Sequence, residues 1–313
     1  MLKSRNRCRV CGSSHLMLLF SLGPYDIIKC RGCGFGWPEP LPSEEELSQL
    51  YQELYEDCVD SPDAEAIREA FRPERENAVR AISRLHPAPG NLLDVGCGLG
   101  EILDVARRYG FCTFGVELNS RRAAEAAKKG HNIQVGVLSP STFEGVQFDV
   151  VILSHIIEHL LNPEQLLRSV RERLRENGLL YIATPNFGGM ICAIEGSHSR
   201  SFSPPVHIAY FTLHSLKHLL ENCGFSLIRH TTFTSSYLHT KDSLSYFLRL
   251  KFLKKAKYRD PRQQKTLKHF VEGKFRLLRT AIYGLALVSS KLITRPINAL
   301  GGEHLQTYWR RDV

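Results

Sequence analysis

The apolar run 281–290 is stopped by Lys291, well short of the ~20 residues a helix needs to cross a bilayer, so a membrane span is not expected. Lys3, Arg5, Arg7 and Arg9 have no apolar stretch behind them, which argues against a secretory leader and for a cytoplasmic protein. Nothing repeats internally, and no recognisable RNA-binding motif accompanies the basic residues, so nucleic acid is not the expected partner. Nor do the cysteines suit a disulfide framework: there are nine, an odd number, five of them scattered (Cys58, Cys97, Cys112, Cys192 and Cys223). That usage reads as reduced thiols plus a metal site. What is present is a chain of 313 residues, 43% hydrophobic and 23% charged, enough for one α/β domain of ordinary size with appendages.

The chemistry concentrates first at residues 91–100, Asn-Leu-Leu-Asp-Val-Gly-Cys-Gly-Leu-Gly. An apolar strand carries a carboxylate, Asp94, and runs into a loop of Gly96, Cys97, Gly98 and Gly100 before a helical pattern begins at Glu101. A carboxylate in such a strand needs a hydrogen-bonding or cationic partner. The glycines let backbone approach a ligand closely, and the following helix aims free N–H groups at it. A dinucleotide fingerprint fails here, because Glu101 stands three residues after Gly98, where it would face a pyrophosphate. Beyond a second short strand, Glu117 is placed to accept ribose hydroxyls.

At these residues the chain resembles the class I S-adenosylmethionine-dependent methyltransferases. The resemblance rests on LLDVGCGLGEIL with Glu117, on FDVVILSHIIEHLLNP at 148–163 and on LRENGLLYIATPN at 174–186, in the family's order and spacing. It covers residues 74–233 and the last strand, and implies a doubly wound, seven-stranded Rossmann-like sheet that binds S-adenosylmethionine. It also implies a final strand over 303–310, inserted antiparallel.

Cys8-x-x-Cys11 and Cys30-x-x-Cys33 are separated by eighteen residues, and Gly12 and Gly34 follow each pair. Four thiolates at this spacing can close a tetrahedral zinc site, structural because no coordination position stays open. The segment 25–56 is similar to the zinc-ribbon leader of one branch of these methyltransferases, whose members act on sugars, glycans and related metabolites. Ser43 and Glu46 form a capping box ahead of a helix on which Leu47, Leu50 and Leu54 make an apolar stripe, with Tyr51 and Tyr55 packing beside it.

The expected organisation is a zinc ribbon over 1–42, a helical linker over 43–73, the methyltransferase domain over 74–235, a basic helical region over 236–300 and a returning strand over 301–313. Strands are predicted near 91–95, 112–116, 133–137, 148–153, 178–184 and 225–233. Helices are predicted near 73–85, 101–109, 120–129, 140–144, 162–176 and 212–223.

Ligands of such sheets lie across the carboxyl ends of the strands. The expected donor contacts are therefore Asp94, the 96–100 loop, Glu117, Leu118 and Leu138 against the adenine, and Ser154 after the fourth strand. Methyl transfer from a sulfonium is an in-line displacement that needs alignment, exclusion of water and a base for a neutral nucleophile. His155 and Glu158 are the candidates for that role after the fourth strand, with His159 orienting the loop; His207 or Tyr210 is expected to meet the acceptor. The quinone-ring O-methyltransferases, a related branch, carry a carboxylate in place of His155, and their trio can hold a divalent metal. That leaves a His155–Glu158–His159 metal site open here.

Seven Lys and five Arg against two acids crowd into 249–279 and account for nearly all of the +9 net charge. The cluster is a packing face, a homo-oligomer contact or a peripheral attachment to an anionic inner membrane surface. Together these features give the expectation of methyl transfer to an oxygen of a small-molecule sugar, a glycan or a related metabolite. The alternatives are a quinone or small aromatic O-methyltransferase and, from another class, a non-catalytic cofactor-binding scaffold.

Overall fold

Apolar strands alternating with amphipathic helices from residue 91 onward leave one economical arrangement, a parallel sheet covered on both faces. The computed structural model describes residues 6–56, 68–69, 71–199, 201–233 and 303–312. The basic region, including 249–279, lies outside the described residues.

The amino-terminal segment forms a small antiparallel sheet of β1 (Leu16–Leu22), β2 (Tyr25–Cys30) and β3 (Gly36–Glu39), followed by α1 (Glu44–Glu56). The capping box is present: Ser43 N donates to Glu46 Oε2 at 2.7 Å and Glu46 N to Ser43 Oγ at 3.1 Å. Helix α2 (Arg72–Leu85) then leads through the Pro-Gly break into β4 (Asn91–Val95), α3 (Glu101–Arg108), β5 (Cys112–Glu117), α4 (Ser120–Lys128), β6 (Asn132–Val135) and β7 (Phe148–Ser154). There follow α5 (Pro163–Arg173), β8 (Leu174–Pro185), the short α6 (Met190–Glu195), α7 (Leu213–Asn222), β9 (Phe225–Phe233) and β10 (His304–Arg311).

The large sheet has the order β6-β5-β4-β7-β8-β10-β9, parallel except where β10 runs antiparallel between β8 and β9. Alternate residues of the central strands feed two cores. Leu93, Val95, Val151, Leu153, Leu180, Ile182 and Trp309 pack on one face, and Leu92, Val150, Ile152, Leu179, Tyr181 and Tyr308 on the other. Tyr308 and Trp309 explain why the chain's end returns to the sheet. Aromatic side chains bury roughly 150–250 Å² each, about 4–6 kcal/mol apiece at ~25 cal/mol per Å².

Two expected helices differ. Residues 140–144 are turns, because the Thr142 hydroxyl accepts from Ser139 N at 2.9 Å and Phe143 takes a positive φ of 49°, local bonding that competes with a helix. The helix expected to reach 176 stops at Arg173, where Leu174 enters β8 opposite Phe148. Among the described residues no helix is long and apolar enough to cross a membrane.

Candidate active site

The carboxyl ends of β4 and β5 build the first half of the crevice. Gly96 N and Cys97 N donate to Val116 O at 2.7 and 3.1 Å, folding the loop over the end of β5. Gly96 has φ of +74°, and a Cβ there would lie 2.3 Å from Ile156 Cδ1, so both backbone conformation and space demand glycine. Glu117 pins the loop: Gly98 N donates to its Oε2 at 2.8 Å and Asn119 N to its Oε1 at 2.9 Å. Asp94 is buried, and its Oδ1 has no hydrogen-bond partner. Burial, reinforced by the charges of Glu101 and Glu117, pushes its pKa well above the usual carboxylate range. Three carboxylates around a bare-backbone bend, one of them unsatisfied, form a cradle for a cation. The sulfonium and ammonium of S-adenosylmethionine fit that chemistry.

The other expected donor contacts divide. Leu118 is 60% exposed just past β5, beside the exposed Val135 that ends β6 and pairs with Glu117, and is available to a flat ligand. Leu138 is buried in the core, Cys97 is buried beneath the loop, and Ser154 closes β7 half-buried.

The second half lies past β7. His155 takes a positive φ of 55° and points Nδ1 at Glu158 Oε1, 3.1 Å away, while its Nε2 faces Glu74 Oε1 at 3.9 Å. Burial works against its charge, but the two carboxylates outweigh that and raise its pKa to about 10. Carboxylates facing both ring nitrogens favour the imidazolium, which has no lone pair to accept a proton. Glu158 is its counterpart. Burial pushes its pKa up, yet the hydrogen bond from His155 and the neighbouring histidines hold it at about 2, and Thr184 Oγ1 donates to its Oε2 at 3.0 Å.

His207, expected near the acceptor, joins Glu158 from a distant loop. Ile208 N and Ala209 N donate to Glu158 O at 2.9 and 3.0 Å and hold that loop against β7's end. A carbonyl can only accept, so Nδ1 carries the hydrogen in both His159, bonded to Val206 O at 2.9 Å, and His207, bonded to Ser201 O at 3.1 Å. In the neutral form of either ring, Nε2 is then the nitrogen with the lone pair. The two rings meet edge to face with centroids 4.9 Å apart, and burial lowers the pKa of His207, favouring the neutral base. Glu158, His159 and His207 bring one ligand atom each within 4.8 Å of one another, a set that could hold a divalent cation. It differs from the His155–Glu158–His159 trio expected by resemblance. Tyr210 is buried and donates its hydroxyl to His207 O at 3.0 Å, supporting the loop rather than lining the opening.

Glu74, His304 and Arg9 were not legible as site residues. Glu74 looks like an ordinary acid in the first turn of α2, but it is buried, accepts from Gln306 Nε2 at 3.3 Å and faces His155. His304 sits in β10 with its ring 5.0 Å from that of His155.

At the amino terminus, the Sγ atoms of Cys8, Cys11, Cys30 and Cys33 all lie within 4.8 Å of one another, with Cys8–Cys33 at 3.5 Å and Cys11–Cys30 at 3.6 Å. Zn–S bonds of about 2.3 Å in a tetrahedron place sulfurs roughly 3.8 Å apart, so the donor set fits zinc.

A family profile described as a methyltransferase domain matches residues 65–230. The ubiquinone biosynthesis O-methyltransferase of Caulobacter vibrioides is 32% identical over 126 residues, 37% of this chain and 47% of that protein. Its counterpart in Xanthomonas axonopodis is 30% identical over 128 residues, 37% of this chain and 51% of that one. The chain spans about half the length of the curated relatives it matches. A crystal structure of a candidate sarcosine dimethylglycine methyltransferase from Galdieria sulphuraria superposes with a TM-score of 0.50 at 13% identity, covering 85% of this chain and 98% of that one, a likeness of fold.

Proposed function

We propose, from the premise that this chain belongs to the methyltransferase-domain family and is an S-adenosylmethionine-dependent methyltransferase, that it methylates a ring hydroxyl of a small aromatic acceptor of the quinone-precursor type. The observation that carries the reading is the His159–His207 ring pair, each anchored through Nδ1 to a backbone carbonyl and gathered beside Glu158 past the carboxyl end of β7. The curated relatives, named as ubiquinone biosynthesis O-methyltransferases, favour this acceptor over the sugar or glycan oxygen suggested by the leader.

S-adenosylmethionine supplies an electrophilic methyl group on a cationic sulfur. Asp94, Glu101 and Glu117 offset that positive charge, and the 96–100 backbone leaves room for the donor. His207 would remove the hydroxyl proton as the oxygen–carbon bond forms and the methyl's carbon–sulfur bond breaks, its electron pair leaving with sulfur as a neutral thioether, and Glu158 would stabilise the resulting imidazolium. Glu158 can do so because His155 keeps it ionised while Glu74 balances His155.

Incubation with methyl-labelled S-adenosylmethionine and two probes, 3,4-dihydroxybenzoate and a hexose mixture, tests the acceptor. Label is expected as an aryl methyl ether; label confined to the hexoses would overturn the aromatic reading. For the four-cysteine cluster we assign one structural zinc held by Cys8, Cys11, Cys30 and Cys33. Elemental analysis of Cys30→Ser is expected to find the metal gone, and retained stoichiometry would end the assignment.

A further inference from the structure

The four-cysteine module touches the loops that bear the histidine pair. Arg9, inside the first Cys-x-x-Cys turn, donates from Nη2 to Leu161 O and from Nη1 to Ile208 O at 3.4 Å. Leu161 stands two residues after His159, and Ile208 one residue after His207. One side chain thus spans two loops that are remote in sequence, adding to their direct contacts through Glu158 O and His159 Nδ1. The module grips the second loop again where Gly36 and Tyr210 exchange N–H···O bonds at 2.9 and 2.8 Å, and where Thr212 Oγ1 donates to Cys33 O at 3.3 Å. Tyr51 of α1 donates to Val206 O at 3.4 Å and packs its ring on the edge of His159.

We propose that Arg9 is a positioning residue for methyl transfer, its planar guanidinium holding the two loop carbonyls and so setting the spacing between His159 and His207. A rigid fork with several N–H directions can hold two carbonyls at once; an ammonium on a flexible stem holds them poorly. The leader is then part of the acceptor wall. This inference rests on the reading of the histidine pair as proton acceptor, and displacement of such groups by about 1 Å costs on the order of 100-fold in rate.

The test compares the full-length protein with Arg9→Ala and Arg9→Lys. Hydrogen exchange is read over peptides spanning 155–162, 203–212 and 91–101, together with zinc content, donor affinity by calorimetry, and turnover of 3,4-dihydroxybenzoate. In Arg9→Ala, exchange is expected to quicken about tenfold in both loop peptides and to stay unchanged at 91–101, with zinc and donor affinity retained. Turnover should fall about 10- to 100-fold in kcat, with partial rescue by millimolar guanidinium and a smaller loss in Arg9→Lys. Exchange that is unchanged, or altered in one loop alone, overturns the proposal, as does loss of zinc from both variants, which would make Arg9 a folding residue. If both loops loosen but the parent protein leaves 3,4-dihydroxybenzoate unmethylated, the bracing of both loops by Arg9 stands and the aromatic acceptor falls.

Discussion

The two halves of the crevice each bury a carboxylate and treat it in opposite ways. Asp94 on the donor side is surrounded by Glu101 and Glu117, lacks a partner at Oδ1 and is pushed toward protonation. Glu158 on the acceptor side is buried at least as deeply, yet the hydrogen bond from His155 and the neighbouring histidines hold its pKa at about 2, and Thr184 Oγ1 donates to its second oxygen. Depth of burial therefore does not decide the charge state; the neighbours do. Asp94 keeps an oxygen without a partner, whereas both oxygens of Glu158 are met, by His155 and Thr184.

The largest expected break in this contrast comes from His207→Gln. If His207 takes the proton, kcat should fall by about 10² to 10⁴ with donor affinity by calorimetry unchanged; a loss below about threefold would move the role to His159. Glu117→Ala attacks the donor side in the opposite sense. It removes the acceptor of Gly98 N and Asn119 N, and S-adenosylmethionine should bind about 10- to 100-fold more weakly. Unchanged affinity would mean the glycine loop holds its shape without that carboxylate.

The smallest expected effect sharpens the comparison most directly. A carboxylate whose folded pKa is raised binds more protons folded than unfolded, so its contribution to stability falls as pH rises above the usual carboxylate range. Asp94→Asn should flatten the decline of donor-free Tm between pH 5 and 8, with a gain on the order of a few °C at pH 8 and weaker donor binding. A steeper decline in the variant would show that Asp94 is already paired in solution.

The donor side was readable because it is local. Asp94, the glycine bend and Glu117 lie within one strand-loop-helix-strand unit, and each residue type is required by a backbone or charge constraint in that unit. The acceptor side was readable only in part. His155, Glu158 and His207 could be named as polar residues on loops, but the ionisation of His155 depends on Glu74 in α2 and on Glu158. Arg9 carried no signal at all beyond its place in a metal knuckle.

From its own pattern the chain determined most strands and helices, the carboxylate-lined glycine bend and the four-thiolate set, because side-chain period, turn chemistry and ligand spacing act over a few residues; the returning strand β10 was implied by the family resemblance. Only the tertiary structure decided which histidine lies between carboxylates and which rest on backbone carbonyls, which loops meet, and that a leader residue bonds to both loops. Protonation and spacing of that kind are set by desolvation and by partners brought from far along the chain, and neither exists until the sheet has closed around them.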